Sequence, residues 1–437
     1  MKNMGTLVVF AFFAALLLSA DNVIAQNIPS NSWKAPQKTP SPTATEDLSS
    51  SAGPKKLPSP TDPIKVENIK VMARSPVWSP LGNKIAFIRL ESGVWDNDPA
   101  ARQLYVIEEN GDNPRVIASI SNSFRNFCWS PDGKKIAFVE NDPNDSNIYT
   151  IDLATKARVQ ITNHKEHVRA EYGYLAWSPD GTKLAFSVKD GEFQIWIADA
   201  QGKFWFKLTD GFNPVWFPNS KRITFATGEP SQCSFFIIDV DGKNLTEVKN
   251  PSEGAFSMLE DIAVSPDSKY IFCTNTARLN VAKPDGSQPT TAPIYGDRSS
   301  RLPSILGLTG QMVAVVKDDN VQILNVNKLV ANDIAKHGET IPAGAVISRL
   351  KVPNLSPVEA NEIRPRSYLY WPRWSWSPDN KTIAFVGKDN EIWKVSINGT
   401  TQKQLTFERT KLVQLAQKEQ EKKQALAQKS LESELGK

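Results

Sequence analysis

Two histidines have the spacing in this sequence that most suggests metal chemistry. His164 and His167 are separated by two residues, and the chain has three histidines in all. Ring nitrogens at such short spacing can bind zinc. No further histidine or cysteine lies near them in the sequence. We therefore interpret both as solvated or hydrogen-bonded side chains and predict no cofactor, with a metal site as the alternative.

Acidic segments at residues 96–98 and 142–147 supply the oxygen ligands that calcium prefers. Neither segment has the spaced acidic positions and final glutamate of an EF-hand loop, so we interpret them as turns rich in Asp and Asn. The chain also has no Gly-x-Ser-x-Gly motif for a nucleophilic serine and no glycine-rich phosphate loop followed by lysine. We therefore predict binding rather than catalysis, and no catalytic residues.

Three predicted loops carry aromatic and arginine side chains of the kind that dominate binding energy at protein interfaces. They span residues 91–98, 164–174 and 364–374. An alternative is that some of these aromatic side chains cover the ends of strands or line a first strand. The candidate partner-binding residues are Trp95, Tyr172, Tyr174, Arg366, Tyr368, Tyr370, Trp371 and Arg373.

The elements that must position these loops are internal repeats. A Trp-Ser-Pro segment followed by a turn and a strand such as Lys-Ile-Ala-Phe recurs along the chain, clearly or in weaker form, at residues 78–87, 129–138, 177–186, 216–225, 264–273 and 376–385. The gap between residues 264 and 376 is about twice the usual step, and residues 308–316 fit a degenerate unit inside it. This makes seven units, and repeats of about 40–50 residues built from short strands are typical of propeller blades.

Each unit has the turn chemistry that four antiparallel strands require. Proline presets φ at the second turn position, and glycine or asparagine tolerates the positive φ that follows. Successive hairpins then build a blade. We predict an all-β fold, a seven-bladed β-propeller over residues 66–406, with six blades as the alternative and residues 64–67 as an additional strand for the last blade.

The Trp-Ser-Pro-Asp-Gly-x-x-Ile-Ala-Phe copies resemble the WD40-like (PD40) repeats of the TolB propeller family, over roughly residues 66–406. The resemblance implies a propeller fold and says little about activity. TolB proteins carry an α/β domain before a six-bladed propeller, so the seven units and the short preceding segment depart from that family. Propeller lyases that act on pectin fragments are also similar in fold and use clustered histidines to bind metal. The alternative function is therefore a metal-dependent polysaccharide lyase or hydrolase in the propeller channel, using His164 and His167.

The strand order also divides the loops between two faces of the propeller. Turns between first and second strands and between third and fourth strands share one face, and the variable connections share the other. Because binding residues concentrate on variable loops, we expect the partner on the face that carries the three aromatic loops.

The chain ends differ in composition from the repeats. Residues 1–25 have a basic start, an apolar run shorter than the ~20 residues that span a bilayer, and small residues before Gln26. We predict a cleaved signal peptide, with an uncleaved anchor as the alternative. Residues 26–65 are rich in Pro, Ser and Thr and are predicted to be a disordered linker. Residues 407–437 favour a charged, solvated helix, with a partner-induced helix or weak coiled coil as the alternative.

Charge and cysteine content narrow the expected partners and compartment. The formal net charge of +4, with no stripe of Lys and Arg, argues against nucleic acid. Cys128, Cys233 and Cys273 lie in apolar, strand-like runs, so we interpret them as buried free thiols, although export would permit one disulfide. We predict a periplasmic or secreted monomer without a stable membrane span after cleavage. It would be a scaffold for an envelope or periplasmic protein, with a peptide or carbohydrate as alternative ligand.

Overall fold

A computed structural model describes residues 71–91, 102–120, 127–140, 147–163, 171–229, 232–248, 259–275, 278–285, 290–293, 305–306, 312–317, 320–331, 343–352, 374–387 and 389–407. These residues form seven four-stranded antiparallel sheets, each built from four strands that are consecutive in the chain. The seven sheets are the blades of a β-propeller, as the repeats predict. All of them belong to one compact unit, Pro63–Lys437.

The strands are numbered in chain order, four to a blade. The first strands are β1 (Val71–Trp78), β5 (Phe127–Trp129), β9 (Glu171–Trp177), β13 (Phe212–Trp216), β17 (Leu259–Val264), β21 (Ile305–Leu306) and β25 (Trp374–Trp376). The second strands are β2 (Lys84–Glu91), β6 (Lys135–Glu140), β10 (Lys183–Asp190), β14 (Arg222–Glu229), β18 (Ile271–Asn275), β22 (Met312–Lys317) and β26 (Thr382–Val386).

The outer half of each blade consists of its third and fourth strands. The third strands are β3 (Arg102–Glu108), β7 (Asn147–Asp152), β11 (Glu192–Asp199), β15 (Gln232–Asp239), β19 (Arg278–Ala282), β23 (Asn320–Asn325) and β27 (Ile392–Ser396). The fourth strands are β4 (Arg115–Ser119), β8 (Arg158–Gln160), β12 (Trp205–Asp210), β16 (Thr246–Val248), β20 (Thr290–Pro293), β24 (Val346–Lys351) and β28 (Gln402–Gln404). One short helix, α1 (Val326–Ala331), and a 3-10 turn, Ala343–Ala345, separate β23 from β24.

The turn between first and second strands is closed by its serine and aspartate. In blade 3 the Ser178 hydroxyl donates to Asp180 Oδ1 over 2.7 Å and accepts the backbone N–H of Lys183 over 2.9 Å. Gly181 has φ +74°, a conformation that glycine adopts without steric cost. The same serine–aspartate bond closes this turn in blades 2, 5 and 7, so in these four blades the turn chemistry read from the sequence fixes where the hairpin reverses.

First strands of successive blades contact one another, so they form the inner ring, and the fourth strands lie at the rim. Apolar side chains fill the seams between neighbouring blades. Phe127, Trp129 and Phe138 of blade 2, for example, pack with Ile88 and Leu104 of blade 1. This alternation of sheet and apolar layer runs around the ring and forms the core.

The ring closes where blade 7 packs against blade 1. Phe87 of blade 1 lies in one apolar cluster with Leu405 of blade 7. The ammonium group of Lys394 is 3.0 Å from Glu109 Oε2, and the backbone N–H of Ala73 donates to Asn390 O over 2.8 Å. Both blades form all four strands from consecutive residues. In the described chain the ring therefore closes by packing of blade 7 against blade 1. The predicted extra strand at residues 64–67 lies outside the described residues.

Several sequence predictions can be compared with this architecture. Seven blades are confirmed, including the degenerate sixth, formed by β21–β24. The cysteines are free thiols: Cys233 and Cys273 are buried and Cys128 is half-buried. The predicted signal peptide, linker and C-terminal helix fall outside the described residues. No helix within the described part of the chain is long and apolar enough to cross a membrane.

Candidate partner-binding surface

The antiparallel strand order gives the propeller two distinct faces. The turns that join first to second strands and third to fourth strands lie on one, which we call the turn face. Fourth strands end and first strands begin on the opposite side, which we call the loop face. The segment 353–373, with five of the predicted binding residues, joins the loop-face ends of β24 and β25.

A bulge in the inner strands shapes the loop face. Ser75, Tyr174 and Asn213 have φ between +50° and +54°, and each lies three residues before the tryptophan that ends its first strand. The pairing registers of these three strands shift at the same place. Positive φ is uncommon for a bulky residue such as tyrosine and is found where surrounding packing holds the backbone.

Tyr174 belongs to an aromatic cluster at the loop-face seam between blades 3 and 4. Its ring centre is 6.1 Å from that of Phe212, and Phe193 lies 5.2 Å from Phe212 on another side. Phe212 is buried, whereas Tyr174 and Phe193 are half-buried. The ammonium group of the exposed Lys189 sits 5.0 Å from the centre of the Phe193 ring. The seam thus presents two aromatic edges and a cation on a buried aromatic support.

Buried threonines hold the loop-face ends of two blades. In blade 2, Thr162 Oγ1 accepts the backbone N–H of Ile148 and donates to Asn147 Oδ1, both over 3.0 Å. In blade 7, Thr406 Oγ1 likewise accepts the N–H of Ile392, over 2.8 Å, and donates to the buried carboxyl group of Glu391. These bonds tie the second residue after the fourth strand to the start of the third strand, so the loops emerge from fixed points.

The structure places two of the eight predicted binding residues. Tyr172 and Tyr174 were predicted in a loop, and this is wrong: both lie on β9, where residue 172 pairs with Val188. Aromatic residues suit the half-buried surface of a strand, and pairing with β10 extends β9 by this segment. Trp95, Arg366, Tyr368, Tyr370, Trp371 and Arg373 lie outside the described residues.

The metal alternative also depends on residues outside the described part. His164 and His167 are not among the described residues. Within the described residues there is no group of three or more His, Cys, Asp and Glu side chains placed to hold a metal ion.

The sequence analysis missed a groove on the turn face between blades 4 and 5. It is lined by Arg222 and Thr246 of blade 4 and by Tyr270 and Lys283 of blade 5. One sequence signal marks it. Blade 4 has Phe217 and Asn219 at the positions where most units carry the turn serine and aspartate.

Comparison with known proteins places the repeats in a family. A family model described as the TolB beta propeller domain (PD40) matches residues 94–320. The Tol-Pal system protein TolB of Xanthomonas oryzae pv. oryzae is 37% identical over 62 residues. That alignment covers 14% of this chain and 14% of the relative, so the chain matches only a small part of it.

Solved structures share the fold at low sequence identity. An oligogalacturonate lyase from Vibrio parahaemolyticus is 13% identical, with a TM-score of 0.53 over 74% of this chain and 89% of that one. An oligogalacturonate lyase in complex with manganese is 15% identical, with a TM-score of 0.50 over 72% of this chain and 87% of that one. At these identities the likeness is one of fold.

Proposed function

This chain belongs to the TolB beta propeller domain (PD40) family, and from that membership we propose that it is an exported scaffold that binds a protein of the cell envelope through its loop face. The observation that carries the proposal is the seam formed by Tyr174, Phe193 and Phe212. Partly exposed aromatic edges beside Lys189, on a buried support, are the kind of surface that anchors a protein partner.

A closed ring supports this role because it fixes the strand ends from which the loops leave. The seam of blades 7 and 1 is closed by an apolar cluster and by hydrogen bonds, and the threonine bonds fix where loops leave the sheets. A binding surface that is already ordered loses less entropy on association. Trp95, Tyr368, Tyr370 and Trp371 would supply aromatic anchors, and Arg366 and Arg373 would supply charge-assisted hydrogen bonds.

The periplasmic location is part of the same proposal. It is supported by the basic start, short apolar run and small residues of the first 25 positions, a pattern typical of a signal peptide. The partner would then be an envelope or periplasmic protein, and a monomeric propeller would present one loop face to it.

Affinity capture from cell-envelope extract tests the proposal. The mature protein from Gln26 would be compared with a variant in which Tyr370, Trp371 and Arg373 are changed to Ala. We expect one envelope protein that wild type retains and the variant loses. Equal retention, or no retained protein, would refute this interface.

A metal-dependent polysaccharide lyase or hydrolase is the second candidate, and the spacing of His164 and His167 favours it. These residues lie between β8 and β9, and both of these strand ends are on the loop face. Measurement of bound metal, with His164→Ala and His167→Ala together as control, separates the two candidates. Stoichiometric metal lost in the double variant, together with cleavage of a polysaccharide, would favour the enzyme.

A further inference from the structure

A groove crosses the turn face between blades 4 and 5, on the side of the propeller away from the proposed partner surface. It consists of two adjoining cavities of about 610 and 740 Å³, which share Arg222, Thr246 and Pro284 as lining residues. Each cavity is within the ~300–1,000 Å³ range of known ligand sites. The turns that build it come from both blades, so the groove depends on their relative placement.

Arg222 is the cation common to both cavities, and the aromatic ring of Phe217 holds it in place. Its guanidinium carbon is 4.5 Å from the centre of that ring. Phe217 is fully buried and occupies the position of the turn serine, which is Ser130 in blade 2 and Ser178 in blade 3. A guanidinium stacked on a ring keeps its planar edge of N–H donors available for a carboxylate.

The cross-strand acid Asp239 forms no ion pair with Arg222 in the described part of the structure. Arg222 pairs in register with Asp239, just as Lys84 of blade 1 pairs with Glu108. Lys84 and Glu108 form an ion pair at 3.3 Å. Asp239 instead accepts a 2.7 Å hydrogen bond from Asn244 Nδ2, and among the described residues Arg222 forms no ion pair.

The remaining charges of the groove add to its cationic character. Lys221 and Lys283 line it alongside Arg222. The first cavity also carries two acids, Asp239 and Asp241, and the Asp241 carboxylate lies 3.1 Å from the ammonium group of Lys243. Asp285 lines the second cavity and also interacts within the protein. Blade 4 further lacks the turn aspartate, since Asn219 occupies that position.

We propose that this groove binds an acidic peptide segment, with one carboxylate on Arg222 and a neighbouring one near Lys283. Asn219, Asn244 and Thr246 offer amide and hydroxyl groups for a peptide backbone, and Tyr270 and Pro284 supply apolar surface. Bidentate pairing between arginine and a carboxylate gives such a site both strength and orientation. The protein would thus bind ligands on both faces.

Fluorescence anisotropy with a labelled hexaglutamate peptide at low ionic strength tests this site on the mature protein. We expect Arg222→Gln to weaken binding about tenfold or more, because it removes a charge-assisted pair. Arg222→Lys keeps the charge but loses the planar fork and should give a smaller loss. The matched control is Lys135→Gln, which changes the equivalent turn-face position two blades away and should bind like wild type.

Three outcomes would overturn the proposal. Equal binding by wild type and Arg222→Gln would exclude the site, and equal weakening by Lys135→Gln would indicate non-specific surface charge. Displacement of the peptide by an equal concentration of inorganic phosphate would indicate a free-oxyanion site instead. If Arg222→Gln fails to fold in a thermal melt, Lys283→Gln serves as the second variant and should weaken binding severalfold. Loop-face binding of an envelope protein should be unchanged in every variant.

Discussion

The indole nitrogen of Trp216 in blade 4 donates a hydrogen bond to the carbonyl oxygen of Ala176 in blade 3, over 3.0 Å. Trp129 of blade 2 makes the equivalent bond to Val77 of blade 1, over 3.1 Å. In blades 2 and 4 the tryptophan that marks the repeat therefore links one inner strand to the inner strand before it. The indole nitrogens of Trp78, Trp177 and Trp376 have no hydrogen-bond partner among the described residues, so this bond joins particular blades and is not a feature of every repeat.

Trp216→Phe tests the contribution of this bond. It removes the N–H donor and some ring volume, and we expect a loss of about 1–3 kcal/mol in the free energy of unfolding, because the part-buried carbonyl oxygen of Ala176 loses this donor. The control is Trp376→Phe, since Trp376 Nε1 has no hydrogen-bond partner within the described residues. Denaturant unfolding should show the smaller loss for Trp376→Phe. An equal or larger loss there would contradict the role of the inter-blade bond.

Thr406→Val should destabilise blade 7, the last blade of the ring. The change preserves side-chain shape but removes the acceptor for Ile392 N–H and the donor to Glu391. The matched variant Thr162→Val removes a similar pair of bonds, to Ile148 N–H and to the neutral Asn147. A hydrogen bond contributes about 0.5–1.5 kcal/mol, and a buried polar group left without its partner costs about 1–3 kcal/mol. We therefore expect each variant to lower the unfolding free energy by about 1–3 kcal/mol, and no measurable loss in either variant would refute this.

We expect low pH to reduce the free energy of unfolding, because carboxylates in the turns have lowered pKa values. The hydroxyl groups of Ser377 and Ser265 hold the pKa of Asp379 and Asp267 below the usual range. A carboxylate whose pKa is lower in the folded than in the unfolded state stabilises the folded protein at pH values above its unfolded pKa. This stabilisation is lost as the pH falls through the pKa of the folded state. Asp267→Asn with Asp379→Asn should flatten the decline in unfolding free energy below about pH 4. An unchanged decline in urea titrations would contradict this.

The cysteines should behave as three unreactive thiols. Burial raises the pKa of Cys233 to about 12, and burial likewise raises the pKa of Cys273. Thiolate is the reactive form, so we expect very slow modification by a thiol reagent in the native protein and three modified thiols after unfolding without reductant. Only one modified thiol after unfolding would indicate a disulfide instead.

The fold could be predicted because its determinants are local. Each turn depends on a few adjacent residues, such as Ser178, Asp180 and Gly181, and the tryptophans recur at blade spacing. Even blade 6, whose unit lacks the Trp-Ser-Pro segment, could be inferred from the gap in that spacing. Ring closure could not be predicted, because the apolar cluster that contains Phe87 and Leu405 depends on how blades 1 and 7 meet in space.

The candidate surfaces were harder to predict because they too depend on how the blades are arranged in space. Tyr174 has the residue type of a binding loop, yet it lies on β9 against Phe212, a neighbour that only the blade arrangement provides. The turn-face groove joins residues of two blades, and its main signal, Phe217 in place of serine, appears in the sequence as a weakened repeat. A departure from the repeat marks the position of the groove, whereas agreement with the repeat predicts the fold.

Face-specific photo-crosslinking tests the central claim most directly. A photoreactive amino acid would be placed at Tyr370, in the loop-face segment, and in a second variant at Asn398, which is exposed in the turn between β27 and β28 of the same blade. In intact cells we expect a crosslinked envelope protein from the Tyr370 position and none of that mass from Asn398. The same product from both positions, or from Asn398 alone, would contradict a scaffold that binds its partner through the loop face.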